Sequence, residues 1–453
     1  MCGITAIIDI SKNIVDDLYR SLFYLQHRGQ HSSGLIFFST QTKKTFKSKK
    51  LGLITSHLEE LKTFSGNMGI GHVRYPTNGL NSRNEIQPFS VLKPYGISLA
   101  HNGNISNKDE IIEFLNLHKI YVNSTSDSEL ILNIFYYYIE KNFSLLTNEI
   151  IVQAIEKIYD IFKGSFSVII MISNYGLVAF RDKDGIRPLA YSKTSTSVSI
   201  ASETNAFYNN VNFEDVENGE IIIVNKELEI SKYKLYNNPL KPCIFEYIYF
   251  ANPESYINNV LVYTFREKIG EKVVKLLDQK TIDSIDIVIP VPMTSLISAT
   301  SVAHIINKPI QHVIVKNRYT HRTFINQGND ILKNIAKIKV MHSLITNKTI
   351  LVIDDSIVRG NTCKHIIKEL RKGNTKRIIF VSCSPPIRFP NIYGISIPTY
   401  NELIAHNRNV AEIKNELDID ELFYLDLESI KSVLNQLNSK ITCFEDSSFT
   451  GNY

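Results

Sequence analysis

The chain has 453 residues, 43% of them hydrophobic and 21% charged, which is typical of a globular protein but long for a single core, so we expect two domains. Its 50 basic and 45 acidic side chains give a formal net charge of +5, too small an excess to indicate a nucleic-acid or membrane-surface partner. The five cysteines form no CxxC pair, and the sequence shows no apolar run that could span a bilayer and no recognisable targeting segment. Together these features predict a cytoplasmic location.

Cys2 is the first residue that suggests chemistry. It directly follows the initiator methionine, and removal of Met1 would give it a free α-amine. The ordinary pKa is about 8.5 for a thiol and about 8 for an α-amine, so one residue could supply both nucleophile and base. Taken alone, a cysteine at position 2 is better explained by chance. Short strands predicted at Gly3–Ile10 and Leu35–Ser39 alternate with turn clusters, which favours antiparallel sheets with helices outside them.

Several motifs follow in order after Cys2-Gly3-Ile4. They are LQHRGQHSSG (Leu25–Gly34), GHVRYPTNG (Gly71–Gly79), LAHNGNI (Leu99–Ile105) and STSDSE (Ser124–Glu129). Together they resemble the glutaminase domain of glutamine amidotransferases with an N-terminal nucleophile. The resemblance implies an α+β fold, a four-layer αββα sandwich, over residues 2–237.

The resemblance also implies how glutamine is cleaved. Cys2 would attack the side-chain amide, and the amide of Asn102 with the backbone N–H of Gly103 would hold the oxyanion. From the residues alone, Asn102-Gly103 could instead be a hairpin turn.

Three further residues are implied to bind the substrate glutamine. Arg74 would bind its α-carboxylate, Asp127 would bind its α-ammonium group, and Arg28 belongs to a loop near the substrate or braces that loop by a salt bridge. Asp127 could instead be a helix N-cap. The later motifs Arg181–Leu189 and Ala201–Phe207 resemble the same family, and we interpret them as structural turns.

Pro239 and Pro242 predict a domain boundary, followed by a second domain over residues 238–400. Its clearest motif is Lys348–Thr362, in which the apolar strand Thr349–Ile353 is followed by two aspartates, a loop and a helix predicted over His365–Lys372. Such a strand–loop–helix junction binds phosphate, and adjacent carboxylates suit ribose hydroxyls or a hydrated magnesium ion. A surface turn with a helix cap is the simpler alternative.

The sequence DDSIVRGNT resembles the fingerprint of type I phosphoribosyltransferases, which implies an α/β domain with a mostly parallel sheet. The residues that the resemblance implies for 5-phosphoribosyl diphosphate are Asp354, Asp355, Ser356, Val358, Arg359, Gly360, Asn361, Thr362, Lys316, Arg318, Tyr319 and Arg322. One Mg²⁺ per subunit would lie near Ser295, Asp354 and Asp355. The basic segment Lys316–Ile325 could otherwise be a solvated strand edge. After Ile325 only lysines remain (Lys333, Lys337 and Lys339), and we expect weaker closure over the substrate.

Residues 401–453 are expected to form C-terminal helices, at Ala411–Leu417 and Leu427–Leu437, and a tail that packs on the transferase domain. Some relatives hold an iron–sulfur cluster through four cysteines. Here Cys243 is at one such position, but Asn391 and Ser448 occupy others, so no cluster is expected.

The two halves together resemble the glutamine-dependent phosphoribosyl diphosphate amidotransferases. This implies that ammonia released from glutamine attacks C1 of 5-phosphoribosyl diphosphate, giving 5-phosphoribosylamine, glutamate and pyrophosphate in the first committed step of purine biosynthesis. A homotetramer and feedback inhibition by purine nucleotides are also implied, with no nucleic-acid or membrane partner. Two alternatives stay open: an amidotransferase with another sugar-phosphate acceptor, and a regulator that binds phosphoribosyl ligands without turnover.

Overall fold

The computed structural model describes residues 1–75, 82–141, 146–208, 212–316, 338–397 and 399–453. These residues form two compact units. The first consists of Met1–Cys243, Glu254–Asn259 and Ile392–Ser396, and the second of Ile244–Pro253, Val260–Asn391 and Ile397–Tyr453. Two short segments that belong to the first unit by their contacts therefore lie, in sequence, within the second half of the chain. No helix in the described part of the chain is long and apolar enough to cross a membrane.

The first unit is built on two antiparallel sheets. Its strands are β1 Gly3–Asp9, β2 Ser32–Phe38, β3 Thr45–Leu51, β4 Met68–Arg74, β5 Phe89–Val91, β6 Ile97–Ile105, β7 Gly164–Ile172, β8 Gly176–Arg181, β9 Ala190–Lys193, β10 Ser197–Ala201, β11 Glu214–Asp215, β12 Glu220–Asn225, β13 Ile230–Lys234 and β14 Tyr256–Ile257. The strand order is β11-β9-β10-β1-β4-β2-β3 in one sheet and β13-β12-β8-β7-β6-β5 in the other. Its helices are α1 Val15–Tyr24, α2 Leu58–Leu61, α3 Lys108–Leu117, α4 Asp127–Glu140 and α5 Asn148–Ile161.

Alternating apolar residues place three hydrophobic layers around these sheets. Along β7, Val168 and Ile170 pack with the helices α3 to α5, whereas Ile169 points into the core between the two sheets. This is the two-residue period expected of a strand that is buried on both faces. Helix α1 covers the outer face of the first sheet with Leu18 and Leu22. The resulting order of helix, sheet, sheet, helix is the predicted αββα sandwich.

The second unit contains the predicted parallel sheet. Its strands are β15 Val260–Leu261, β16 Ile287–Pro290, β17 Ile314–Lys316, β18 Ile338–Val340, β19 Thr349–Asp354, β20 Arg377–Ser382 and β21 Glu421–Tyr424. Its helices are α6 Val262–Val274, α7 Gln279–Ser284, α8 Leu296–Ile305, α9 Asn361–Lys372, α10 Val410–Glu416, α11 Leu427–Leu437 and α12 Ser447–Thr450. Strands β16, β19, β20 and β21 are parallel neighbours in that order, and β17 pairs antiparallel with β18.

Helices cover the parallel sheet, as the apolar sequence of its strands requires. All six residues of β19 are buried, and the Ile366, Ile367 and Leu370 side chains of α9 belong to the core that this sheet helps to form. Helix α9 begins at Asn361, four residues before the predicted start, because Gly360 adopts a left-handed conformation (φ 77°) that ends the loop there.

Candidate active sites

A pocket in the first unit brings the separate glutaminase motifs together. Its lining residues are Cys2, Arg74, Tyr75, Gln87, His101, Gly103, Asn104, Lys108, Ser126 and Asp127. Sheet register accounts for the first two, because Gly3 of β1 pairs with Val73 of β4 and so places Cys2 beside Arg74. Tyr75, Gln87, His101, Asn104, Lys108 and Ser126 were not among the predicted site residues, although all but Gln87 and Lys108 lie within predicted motifs.

Asn102 lies directly at Cys2. Its Oδ1 accepts a hydrogen bond from the Cys2 backbone nitrogen at 3.1 Å. Its Nδ2 is buried and has no hydrogen-bond partner among the described residues. An unpaired buried N–H costs free energy, and this one lies on the residue between His101 and Gly103, which both line the pocket.

The hairpin-turn alternative for Asn102-Gly103 is wrong. Both residues lie inside β6 and pair with Ser167 and Phe166 of β7. A Cβ added to Gly103 would lie 2.0 Å from the carbonyl oxygen of Ser165, so close strand packing requires glycine here. The Cys2 sulfur lies 3.7 Å from the backbone oxygen of Tyr75.

Arg74 is buried at the pocket with a nearby acid that the sequence did not reveal. A terminal nitrogen of Arg74 lies 3.7 Å from Oε2 of Glu85. The other carboxylate oxygen of Glu85 accepts hydrogen bonds from the backbone nitrogen (2.8 Å) and the hydroxyl (3.1 Å) of Thr125. Glu85 therefore orients the guanidinium while leaving it in the pocket lining.

Asp127 is an ionised group in the pocket. Burial alone would raise its pKa, but the charge of His101, whose Nδ1 lies 3.7 Å from Oδ1, lowers the pKa below its ordinary value. The backbone N–H of Ile105 also donates to Oδ2 at 3.1 Å. The N-cap alternative for Asp127 is wrong, because Ser126 caps α4 by accepting a hydrogen bond from the Ser128 nitrogen.

Arg28 contacts Cys2 directly. Its Nε donates to the carbonyl oxygen of Cys2 at 2.8 Å, and its Nη1 forms an ion pair with Glu203. Glu203 also accepts hydrogen bonds from His27 (2.9 Å) and Ser255 (2.7 Å). Burial would raise the pKa of Glu203, but the charges of His27 and Arg28 lower it below its ordinary value. Glu203 was interpreted from the sequence as part of a structural turn, and its contacts join segments that are far apart in the chain.

In the second unit, the predicted residues between Asp354 and Thr362 lie at one edge of the parallel sheet, whereas Lys316 lies in β17, outside that sheet. Pro290 of β16 is in register with Ile353 of β19, so the loop that ends at Ser295 and the loop that begins at Asp354 leave the sheet side by side. Gly360 precedes α9, whose N-terminus carries no side-chain cap. The first-turn N–H groups of α9 therefore face the Ser356–Gly360 loop without a capping side chain.

Two adjacent acidic side chains at this edge, Asp354 and Asp355, are a donor set that suits a divalent cation. Burial and the neighbouring charge of Asp355 raise the pKa of Asp354 well above its ordinary value. A bound cation would relieve that repulsion. Ser295 is buried, and its hydroxyl donates to the Val291 carbonyl oxygen at 2.6 Å, which leaves its lone pairs for a ligand. No group of three or more His, Cys, Asp or Glu side chains that could hold a metal ion occurs among the described residues.

Arg359 has a partner that was not predicted from the sequence. Its guanidinium forms an ion pair with Glu402, and the nearby Ile404 nitrogen donates to the Val358 carbonyl oxygen at 3.0 Å. The loop around Glu402 thus packs on the loop that contains Val358 and Arg359. Several predicted residues lie outside the described part of the chain: Arg318, Tyr319, Arg322, Ile325, Lys333 and Lys337.

Comparison with known proteins matches both halves of the chain. Residues 72–209 match the glutamine amidotransferase domain, and residues 264–385 match the phosphoribosyl transferase domain. The amidophosphoribosyltransferases of Pasteurella multocida and Escherichia coli are 40% and 39% identical to this chain, and each alignment covers 100% of this chain and 92% of the relative. The chain belongs to the amidophosphoribosyltransferase family.

A solved structure supports the membership at the level of the fold. The glutamine phosphoribosylpyrophosphate amidotransferase of B. subtilis, complexed with ADP and GMP, superposes with a TM-score of 0.87 at 29% identity, covering 100% of this chain and 97% of that one. The two domain families follow one another along this chain. Its relatives are named amidophosphoribosyltransferases, which are glutamine-dependent pentosyltransferases. The prediction of family and fold is confirmed.

Proposed function

We propose that this chain hydrolyses glutamine at Cys2 and transfers the ammonia to C1 of 5-phosphoribosyl diphosphate. The observation that carries the proposal is the pairing of Cys2 with Asn102, whose Oδ1 is 3.1 Å from the Cys2 nitrogen and whose Nδ2 is a buried, unpartnered donor in the described structure. One side chain would thus supply an acceptor for the α-amine and a donor for the oxyanion.

Glutamine would be oriented by two protein side chains of opposite charge, one for its α-carboxylate and one for its α-ammonium group. The guanidinium of Arg74 suits the α-carboxylate, and the ionised Asp127 suits the α-ammonium group. Both residues line the pocket that contains Cys2. A substrate whose α-carbon is held through both charged groups would present its side-chain amide to the nucleophile in a defined position.

The cleavage proceeds through a thioester. After removal of Met1, the α-amine takes the thiol proton, Sγ attacks the amide carbon, and the oxyanion is held by Asn102 Nδ2 and the Gly103 N–H. The protonated amine then gives its proton to the departing nitrogen, which leaves as ammonia. Water attacks the thioester, releases glutamate and regenerates the thiol.

The transferase half would bind the sugar diphosphate at the sheet edge. The hydroxyls of the ribose would be held by Asp354 and Asp355, and the 5-phosphate by the backbone of Ser356–Gly360 and the start of α9. Bound Mg²⁺, held near Asp354, Asp355 and Ser295, would neutralise charge on the pyrophosphate leaving group. Attack of ammonia at C1 then gives 5-phosphoribosylamine and pyrophosphate, the start of purine synthesis.

We extend the proposal to partners and assembly. The B. subtilis relative was solved with ADP and GMP, and purine nucleotides are the inhibitors that we propose for this chain. A homotetramer in the cytoplasm, one Mg²⁺ per subunit and the absence of an iron–sulfur cluster complete the proposal. The domain division proposed from the sequence (residues 2–237, 238–400 and 401–453) would be tested by expressing residues 1–243 alone.

Replacing Cys2 by alanine tests the proposed reaction. We expect Cys2→Ala to lose pyrophosphate release driven by glutamine and to keep release driven by ammonia at high pH, because the transferase half is untouched. The matched control is Cys443→Ala, which changes a partly exposed cysteine in the other unit. Glutamine-driven turnover by Cys2→Ala would contradict the proposal.

A further inference from the structure

We propose that Glu203 is a positioning residue for the glutaminase reaction, acting through Arg28 on the nucleophile Cys2. Ser255, on the short segment Glu254–Asn259, fixes Glu203 in turn. The inference deepens the proposed function and rests on Cys2 being the nucleophile. Glu203 is assigned no direct contact with glutamine.

The contacts form one continuous chain. Ser255 Oγ donates to Glu203 Oε2 at 2.7 Å, and the other carboxylate oxygen of Glu203 pairs with Arg28 Nη1. Arg28 Nε then donates to the Cys2 carbonyl oxygen at 2.8 Å. The side chains of Glu203 and Arg28 are both 0% exposed, so water does not compete for these bonds.

A nucleophile at the end of a chain needs such an anchor. Once Met1 is removed, Cys2 is held covalently from one side only, and rotation of its backbone would swing the α-amine and Sγ away from the substrate. In the described structure its nitrogen is fixed by Asn102 and its carbonyl oxygen by Arg28. Those two bonds together set the orientation of both reacting groups.

Arg28 can act as an anchor only if its charge is balanced. Its own orientation depends on a partner, because a buried guanidinium without a counter-charge is strongly unfavourable. Glu203 supplies that charge, and His27 Nε2 also lies 2.9 Å from Glu203 Oε1. Arg28 and His27 thus converge on one carboxylate, which fixes the planar guanidinium of Arg28 in one orientation.

The segment that carries Ser255 is held firmly at this place. The backbone nitrogen of Tyr256 donates to the Thr204 hydroxyl at 2.8 Å, next to Glu203. Farther along, Asn259 donates to Asp215 at 3.0 Å. Ser255 is itself 0% exposed. Two adjacent hydrogen bonds therefore fix residues 255 and 256 against residues 203 and 204.

The test compares Glu203→Gln and Ser255→Ala with Glu220→Gln, a control at another buried glutamate of the same unit. Glutamine retains the size of the side chain but removes the charge that orients Arg28. We expect kcat of glutamine hydrolysis to fall about 10- to 100-fold in Glu203→Gln, as for other residues that orient reacting groups through a second residue. Ser255→Ala should show a smaller fall, and Glu220→Gln none. KM for glutamine and the ammonia-driven reaction should stay within about twofold, because substrate contacts and the transferase half are unchanged.

Two further measurements separate positioning from a structural role. The rate at which iodoacetamide alkylates Cys2, followed on the N-terminal peptide from pH 6 to 9, should show an altered pH profile in Glu203→Gln and the wild-type profile in Glu220→Gln. The double variant Arg28→Gln/Glu203→Gln should be no slower than the slower single variant, since both changes act on one anchor.

Each outcome has one meaning. A wild-type kcat in Glu203→Gln, equal loss of ammonia-driven activity, an unchanged alkylation profile, or multiplying effects in the double variant would each overturn the inference. Failure of the proposed function itself would be seen separately, as glutamine-driven turnover by Cys2→Ala.

Discussion

At the scale of single residues, Asn102 carries two atoms to which we assign separate roles, one as an acceptor and one as a donor. Its acceptor oxygen binds the Cys2 nitrogen, and its donor nitrogen is buried without a partner in the described structure. A sequence pattern predicted the oxyanion role, but the acceptor role requires the packing of β6 against the start of β1. Substitutions that separate the two atoms are therefore informative.

Asn102→Asp separates them, because aspartate keeps an acceptor at Oδ1 and removes the N–H donor. We expect kcat of glutamine hydrolysis to fall about 10²- to 10³-fold, the usual effect of removing one oxyanion donor, with ammonia-driven activity retained. Steady-state kinetics with each nitrogen donor measure this. The control is Asn225→Asp at the end of β12, and wild-type glutaminase kinetics in Asn102→Asp would refute the oxyanion role.

Asp354 gives a prediction about pH and metal. Because burial and Asp355 raise its pKa in the folded protein, the folded state holds the proton more tightly than the unfolded state does. The sign follows: stability is lost as pH rises from the ordinary pKa of Asp, 3.8, towards the raised value. Asp354→Asn should thus be more stable than wild type at pH 7.5 without divalent cations, by about 1–3 kcal/mol.

Urea unfolding with EDTA and with Mg²⁺ measures this effect. The difference between Asp354→Asn and wild type should shrink as the pH falls below the ordinary pKa of Asp, 3.8, because the carboxyl is then protonated in both states. Added Mg²⁺ should stabilise wild type and have little effect on the variant. An equal response of both proteins to Mg²⁺ would exclude Asp354 as a ligand, and Asp283→Asn is an exposed control in the same unit.

At the scale of elements, local patterns predicted the strands and their ends, because buried strands have apolar sequences and stop at polar loops. The strand predicted at Thr349–Ile353 is β19, Thr349–Asp354, and Asp354 lies at its end. The ion pairs between buried glutamates and arginines at the candidate site could not be found in this way. Glu85 and Glu203 meet their arginines through contacts between distant segments, and a single sequence carries no signal for such pairs.

The pair Arg359–Glu402 is one such case with a consequence for binding. In the described structure Arg359 is already paired, so a phosphate must displace Glu402 to use this guanidinium. Glu402→Gln should lower KM for 5-phosphoribosyl diphosphate a few-fold, because partly exposed ion pairs are worth about 0.2–1 kcal/mol. Glu416→Gln, which loses ion pairs to Lys364 and Arg408, is the matched control. An unchanged or higher KM in Glu402→Gln would show that the pair does not compete.

At the scale of the whole molecule, two domain families divide the reaction into release and capture of ammonia. The division explains why the two activities can be measured separately, with glutamine or with ammonia as the nitrogen source. It also means that a defect confined to the first unit should be invisible when ammonia is supplied. Retention of Met1 is the clearest example of such a defect, since it would affect chemistry in the first unit alone.

Met1 is buried when it is still attached to the chain. The residue is 2% exposed, and its sulfur lies 2.7 Å from Nη1 of Arg187. While Met1 is attached, the Cys2 nitrogen is an amide and cannot act as a base. Protein prepared with a methionine aminopeptidase inhibitor should therefore keep ammonia-driven activity and lose glutamine-driven activity in proportion to the fraction that retains Met1. Intact mass measurement gives that fraction, protein from untreated cells is the control, and full glutamine-driven activity with Met1 in place would show that the α-amine is not the base.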